Sequence, residues 1–301
     1  MPKLTALDIA RRIKLERKVN NSTLLIYGPP KTGKTRLAGT IAQVPNIGRI
    51  VWADLEQGVV TLPFALAADG TPLLTDEELG RIEVLSIGDT LLPSKGAREK
   101  AGMTSVMAVP RAAEVMLKMC TSTIPLHFDN EQNKLVPKAT ENTISFHLRG
   151  MQPNDVLVID SGSQLANSLF ALQELANPEY KDPRKYWASF YQDANTLMSA
   201  IQASHAIVIM ICHSQETEPD AELAKRSETL PTFGSVNYSR NVGKYFSTVV
   251  HLYLDKRVFK SLSNPITKAN VQGGSRYNVD TSRIENPTMA DILAITLRTE
   301  S

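Results

Sequence analysis

The sequence is short of cysteine, of net charge and of long apolar runs, and each shortage removes a class of protein. Only Cys120 and Cys212 occur in 301 residues. They lie far apart and match no metal or redox spacing, so neither a disulfide framework nor a zinc centre is expected, and a reducing compartment is the simplest setting. The formal net charge of +2 gives no global basic field, so any nucleic-acid contact must come from a local patch. The longest apolar run, Ala206 to Cys212, is far too short to cross a bilayer, and no membrane partner is expected. Lys3, Arg11, Arg12 and Lys14 accompany no apolar signal core, so no export signal is read and a cytoplasmic location is expected. Repeats and low-complexity tracts are lacking too. What is present is 42% apolar residues, enough for a sizeable core in one large domain or two small ones.

The stretch that organises the chain is LLIYGPPKTGKT at 24–35. It reads as a buried strand, a glycine-bearing loop and a helix start. Gly28-x-x-x-x-Gly33-Lys34-Thr35 fits the phosphate-loop pattern at every fixed position, in the strand–helix context the pattern requires. Gly28 and Gly33 can take backbone angles closed to other residues, so the N–H groups of Pro29–Arg36 other than the prolines (Lys31, Thr32, Gly33, Lys34, Thr35, Arg36, following Pro29 and Pro30) can turn inward around a phosphate. The helix from Lys34 to about Ala42 adds its positive end. The Lys34 ammonium can reach the β- and γ-phosphates of ATP, and the Thr35 hydroxyl can ligate Mg²⁺.

Two further strands carry acids. Ile50-Val51-Trp52-Ala53 runs into Asp54-Leu55-Glu56, and a carboxylate at a strand end beside the phosphate loop is where a water-activating base sits; an exposed turn acid is the plainer alternative. The run 155–160 ends in Asp160, the Walker B pattern that orders Mg²⁺. AAA+ ATPases usually place a glutamate next, but here Ser161 follows. Glu56 is then the obvious base, the arrangement of RecA-type ATPases. The guanine-reading Asn/Thr-Lys-x-Asp motif is lacking, which speaks against a GTPase.

Elsewhere the reading is coarser. Residues 1–22 suggest a short helical arm. Arg81–Ile87 suggests a strand, Arg111–Cys120 a packing helix and 128–139 a hairpin. From Tyr186 to His205, Trp187, Phe190, Tyr191, Ala194, Leu197, Met198 and Ile201 form one helical stripe, read as core packing. The loop before it, 177–185, carries a tyrosine and three basic residues that can stack a base and hold phosphates. The strand 206–212 ends at His213, a position suited to sensing the γ-phosphate, although a lone histidine is more often structural. The polar stretch 215–240 is too long for an ordinary connection. A strand at Thr248–Leu254 precedes a turn-rich basic tail, in which Asn286-Pro287 opens a last helix.

In order, LLIYGPPKTGKT, IVWADLEQG, DVLVIDSGS, the Trp/Tyr-bearing helix, AIVIMICHS and VVHLYLDKR resemble the phage RecA-core nucleotide-binding ATPases, Sak-type single-strand-annealing recombination proteins. The resemblance covers about residues 20–60 and 150–260; residues 61–150 match no family motif. It implies an α/β fold with a RecA-like P-loop NTPase core: a mostly parallel central sheet flanked by helices over 23–254, an insertion at about 88–150, an N-terminal arm at 1–22 and a small C-terminal β/tail extension at 255–301. It implies ATP and Mg²⁺, hydrolysis stimulated by single-stranded DNA, assembly as a ring or filament of identical copies, a phage single-strand-binding protein as a further partner, and the host cytoplasm. Carried onto this chain, Lys34 and Thr35 take the phosphate and metal roles, Asp160 the Mg²⁺ role, Glu56 the base role and His213 the sensor role. A basic residue acting on the neighbouring copy's ATP is sought among Lys256, Arg257, Lys260, Lys268 and Arg276. A nucleotide-dependent scaffold, a small-molecule kinase and a hexameric helicase motor remain alternatives.

Overall fold

The apolar runs of the sequence become parallel strands covered on both faces, which is why they read as unbroken hydrophobic stretches rather than as alternating ones. The computed structural model describes residues 22–93, 106–179, 182–218, 227–256, 258–262, 271–275 and 284–297. The expected arm at 1–22 therefore lies almost wholly outside the described residues, as do most of 93–104 and the candidate fingers Arg257, Lys268 and Arg276.

Elements follow in the order β1 (Thr23–Gly28), α1 (Lys34–Gly39), β2 (Ile50–Asp54), α2 (Asp76–Gly80), β3 (Ile82–Ser86), β4 (Thr90–Pro93), β5 (Val106–Val109), α3 (Arg111–Thr121), β6 (Leu126–Asp129), β7 (Lys134–Val136), β8 (Thr143–Phe146) and β9 (Val156–Asp160). Then come α4 (Gly162–Ala176), α5 (Pro183–Ala203), β10 (Ile207–Glu216), β11 (Thr229–Pro231), α6 (Val236–Val242), β12 (Thr248–Asp255), β13 (Val258–Leu262), β14 (Gly274–Ser275) and α7 (Met289–Leu297). The main sheet runs β13-β12-β1-β10-β9-β2-β3, with β11 and β14 as short partners of β10 and β12. Every neighbouring pair from β12 to β3 is parallel, and β13 closes one edge antiparallel. The fold is thus α/β, with a mostly parallel central sheet flanked by helices.

Side chains of successive strand residues point to opposite faces, and each face has its own core. Leu25, Tyr27, Val51, Ala53, Leu157 and Ile159 pack under α3, α4, α5 and α6. Leu24, Ile26, Ile50, Trp52, Val156 and Val158 pack under α1, the 3-10 turn Gly58–Phe64 and α7. Each fully buried side chain of this size contributes about 1.5–3 kcal/mol. A one-residue slip would exchange one apolar set for another, so burial alone does not fix the register. The strand ends do. Gly28 pairs with His213, and Asp160 pairs with both Ile211 and Asp54, so the polar residues fall in a row along the carboxyl edge.

The small sheet β7-β6-β8 guards the outer side of β3. Asn130 accepts the Ser86 N–H at 2.9 Å and donates to Val84 O at 2.8 Å, as a neighbouring strand would. Arg49 joins Glu83 of β3 to Ser145 O of β8.

Three expectations change. β10 does not end near His213: it continues to Glu216 and folds back onto β11, so the polar stretch 215–240 contains a hairpin and α6, with 219–226 outside the described residues. The β/tail extension after Asp255 is as expected and begins with β13, where Val258 and Phe259 are strand formers. The last helix begins at Met289, beyond Pro287. Asn286 takes φ 49°, and Thr288 and Asp291 cap the start reciprocally, the Asp291 carboxylate accepting from Thr288 N at 2.8 Å. At the other long helix, α5, Pro183 stands in the first turn and Asp182 accepts from Arg184 N at 3.0 Å, so the loop 177–185 is shorter than expected.

His251 on β12 is 8% exposed, its ring 4.9 Å from that of Tyr27, and neither of its nitrogens has a hydrogen-bond partner among the described residues. Burial, with the charge of Lys34 adding, pushes its pKa down to about 4. The unfolded chain takes up this proton near pH 6.5 and the folded protein only near pH 4, so stability is lost as pH falls through that window. A His251→Leu variant should lose about 3 kcal/mol less than the wild type between pH 7 and pH 4, measured by urea unfolding at both values. Equal losses would assign the acid sensitivity to other groups.

Candidate functional site

The loop after β1 is shaped by two positions where no side chain fits. A Cβ on Gly28 would stand 2.0 Å from Leu252 O on β12. Gly33, with φ 79°, precedes α1 and lies so close to Phe259 that a Cβ would meet the ring at 2.7 Å. Between them Thr32 Oγ1 donates to Pro29 O at 2.8 Å. Lys34 is buried, and its Nζ donates to Gly28 O at 2.9 Å and Pro29 O at 2.7 Å. Burial lowers the pKa of this ammonium, and Asp160, the Cys212 thiol and Glu56 oppose the shift.

Thr35 Oγ1 donates to Asp160 Oδ2 at 2.9 Å, joining α1 to the end of β9 across 125 residues. Burial pushes the Asp160 carboxyl up to about 7; the Thr35 hydrogen bond opposes this, and Asp54 and Glu56 add to it. The Asp160–Ser161 peptide is cis. Ser161 caps α4 by accepting from Gln164 N at 3.1 Å.

The two acids after β2 part company. Asp54 Oδ1 accepts from Gly58 N at 2.8 Å and Oδ2 from Val59 N at 3.4 Å, so it holds the start of the 58–64 turn. Glu56 faces the phosphate loop, with Oε2 3.1 Å from His213 Nε2 at the far end of the parallel pair β1–β10. The hydrogen bond from His213 holds the Glu56 carboxyl below the usual carboxylate range; burial works against it and the Ser161 hydroxyl assists. The His213 main chain is fixed in turn: its N–H donates to Ser163 Oγ at 2.9 Å, Ser163 Oγ donates to Thr232 O at 2.8 Å, and Thr232 N donates to His213 O at 2.7 Å.

These groups surround one cavity of about 400 Å³. Of the residues singled out from sequence, Pro30, Lys31, Gly33, Lys34, Thr35, Arg36, Glu56, Asp160 and His213 line it. Gly28, Pro29 and Thr32 do not, and they act on the loop's shape instead. The sequence reading missed Gly58, Thr61, Ala65, Ser161, Ile211 and Phe259 as lining residues. Gly58 follows Glu56 so closely that the Glu-Gln-Gly turn is a usable signal; Phe259, from a distant strand, has none. Lys260, a candidate finger, has its amine 3.6 Å from Asp255 and 3.5 Å from Glu285 of its own chain. Lys256 sits exposed in the β12–β13 turn with φ 49°.

The oxygen donors at the end of β9 and the start of α1 fit a magnesium ion. Thr35 Oγ1 and Asp160 Oδ2 converge, and a Cβ on Gly58 would come within 2.9 Å of Asp160 Oδ2 and 3.4 Å of Thr35 Oγ1. Glycine there keeps the space beside the pair open. Two hard oxygen donors suit magnesium, which takes its remaining ligands from phosphate and water. Among the described residues there is no cluster of three metal-ligating His, Cys, Asp or Glu side chains.

A glycine-bearing loop of phosphate-loop spacing, at the carboxyl edge of a mostly parallel α/β sheet, is what the fold and site together define. No protein-family profile matches the chain, and none of the curated proteins does. Among solved structures, the chain is similar to a prototypical ATPase from the type III secretion system of pathogenic bacteria, at 15% identity and a TM-score of 0.42, over 77% of this chain and 51% of that one. It is also similar to the RadB recombinase, at 12% identity and a TM-score of 0.39, over 87% and 85% of the two chains. The chain spans about half the length of the secretion ATPase. At these identities the likenesses assign no chemistry.

The Glu56–His213 contact is open to a direct check. Replacing His213 with Ala removes the largest influence holding the Glu56 carboxyl down, so its pKa should rise toward the ordinary glutamate value. Carbon-13 NMR titration of the Glu56 carboxyl reads this; an unmoved titration would refute the contact.

Proposed function

We propose that this chain binds and hydrolyses ATP in the cavity at the carboxyl edge of the sheet. One observation carries the reading: Lys34, the Thr35–Asp160 pair and Glu56 line the same cavity. The phosphate loop grips the triphosphate through backbone N–H groups, and Lys34 lays its charge on the β- and γ-phosphates. Thr35 and Asp160 would hold magnesium, which would neutralise charge on the phosphate oxygens. Glu56, whose carboxyl the His213 hydrogen bond holds below the usual range, orients water in line with the γ-phosphorus. As the water oxygen bonds to phosphorus, the bond to the β,γ-bridging oxygen breaks, and the water proton passes to Glu56. The products are ADP and phosphate.

The wider reading is a RecA-type recombination protein that works on single-stranded DNA and assembles with copies of itself. Its support is the chain of hydrogen bonds from Glu56 through His213 to Thr232, which couples the cavity to the β10–β11 hairpin. A change at the γ-phosphate is then felt at a surface able to meet DNA.

Lys34→Ala should abolish turnover. Glu56→Gln should bind ATP normally yet turn over about 10²–10⁴-fold more slowly, in a phosphate-release assay alongside a binding measurement. Normal turnover by Glu56→Gln would refute the base assignment. The DNA reading has its own check. Single-stranded DNA should raise the ATPase rate at low salt and less so at high salt, because phosphate contacts are salt-sensitive. A rate indifferent to DNA would favour a scaffold that binds ATP and a single-strand-binding protein.

A further inference from the structure

Besides the charged group around Thr35, Glu56, Asp160 and His213, the cavity lining holds Gly33, Arg36 and Phe259, which touch one another. Phe259 reaches the cavity from β13, and its ring lies directly against Gly33. The Arg36 guanidinium carbon is 5.0 Å from the centre of that ring. Arg36 Nε also donates to Leu66 O at 3.4 Å, so this side chain spans from the turn after β2 to β13.

Phe259 is held firmly. Its N–H donates to Asn286 Oδ1 at 3.3 Å, its carbonyl accepts from Asn286 N at 2.8 Å, and it pairs with Leu254 in the sheet. The ring is half-buried. Nothing in the hydrolytic chemistry calls for a fixed aromatic ring and a guanidinium beside the phosphate loop. A nucleoside does. With its terminal phosphates at Lys34 and Thr35, its remainder leaves the loop past the next residue of α1, Arg36. Bases stack on aromatic rings and on guanidinium planes, whatever their hydrogen-bonding edge.

We propose that Phe259 and Arg36 form the platform on which the nucleobase of the bound triphosphate stacks. The platform rests on the reading that ATP occupies this cavity. It gives affinity to the nucleoside half of the substrate, and a ring on β13 thereby makes the C-terminal segment part of the site.

The test compares ATP with inorganic tripolyphosphate, which has the phosphates and lacks the nucleoside, by calorimetric titration in the presence of magnesium. Phe259→Leu keeps apolar volume against Gly33 and removes the stacking face; Phe259→Tyr keeps the face. Phe259→Leu should weaken ATP about 5- to 100-fold and leave tripolyphosphate within about twofold, while Phe259→Tyr should bind both as the wild type does. If Phe259→Leu weakens both ligands equally, the ring only shapes the loop and the platform is refuted. If Phe259→Leu binds ATP as the wild type does, the platform falls and ATP binding stands. A wild-type protein that binds neither ligand would remove the proposed function itself.

Discussion

Parallel pairing forces the carboxyl ends of β1, β2, β9 and β10 onto one edge of the sheet, and the rest of the structure follows from that constraint. The strand interiors are buried on both faces and leave no room for charge. The polar residues each strand carries are therefore placed at its end, and register sets Gly28 beside His213 and Asp54 beside Asp160. A site there costs the core nothing. The same constraint explains why residues 125 or more positions apart in sequence meet within hydrogen-bond distance.

Crowding several carboxylates at one edge has an electrostatic cost, and the fold handles each acid differently. Asp54 is covered by two backbone N–H groups of the turn it starts. Glu56 is joined to an imidazole. Asp160, buried like Asp54, has the Thr35 hydroxyl as its partner, and its charge is strongly disfavoured. A buried carboxylate with incomplete pairing favours a cation beside it. One edge thus separates a structural acid, an acid suited to water and an acid suited to a metal ion.

Much of this placement was legible in the sequence. The spacing of Gly28, Gly33, Lys34 and Thr35 marks a strand, a turn and a helix start, and the apolar runs ending in Asp54, Asp160 and His213 are what doubly covered strands look like. Attention fell on Glu56 because Ser161 left the position after the aspartate without an acid, and Glu56 does line the cavity. What was not legible depends on long-range pairing. The bounds of β13 within the expected β/tail extension hide among basic residues because an edge strand needs only one apolar side. The β10–β11 hairpin looked like a polar connection because its side chains are largely half-exposed. Phe259 had no motif around it: its place is set by Asn286 and by the partner strand, both distant from the glycine turn it touches.

The Asn130 side chain at the margin of β3 has a consequence for how copies of this chain can meet. An amide that satisfies Ser86 and Val84 stoppers that flank of the sheet, and at the opposite flank Lys260 of β13 already bridges to Glu285. Among the described residues, each margin of the main sheet is thus already engaged at one point, and a further strand could be added there only by displacing the Asn130 amide at one margin or the Lys260–Glu285 bridge at the other.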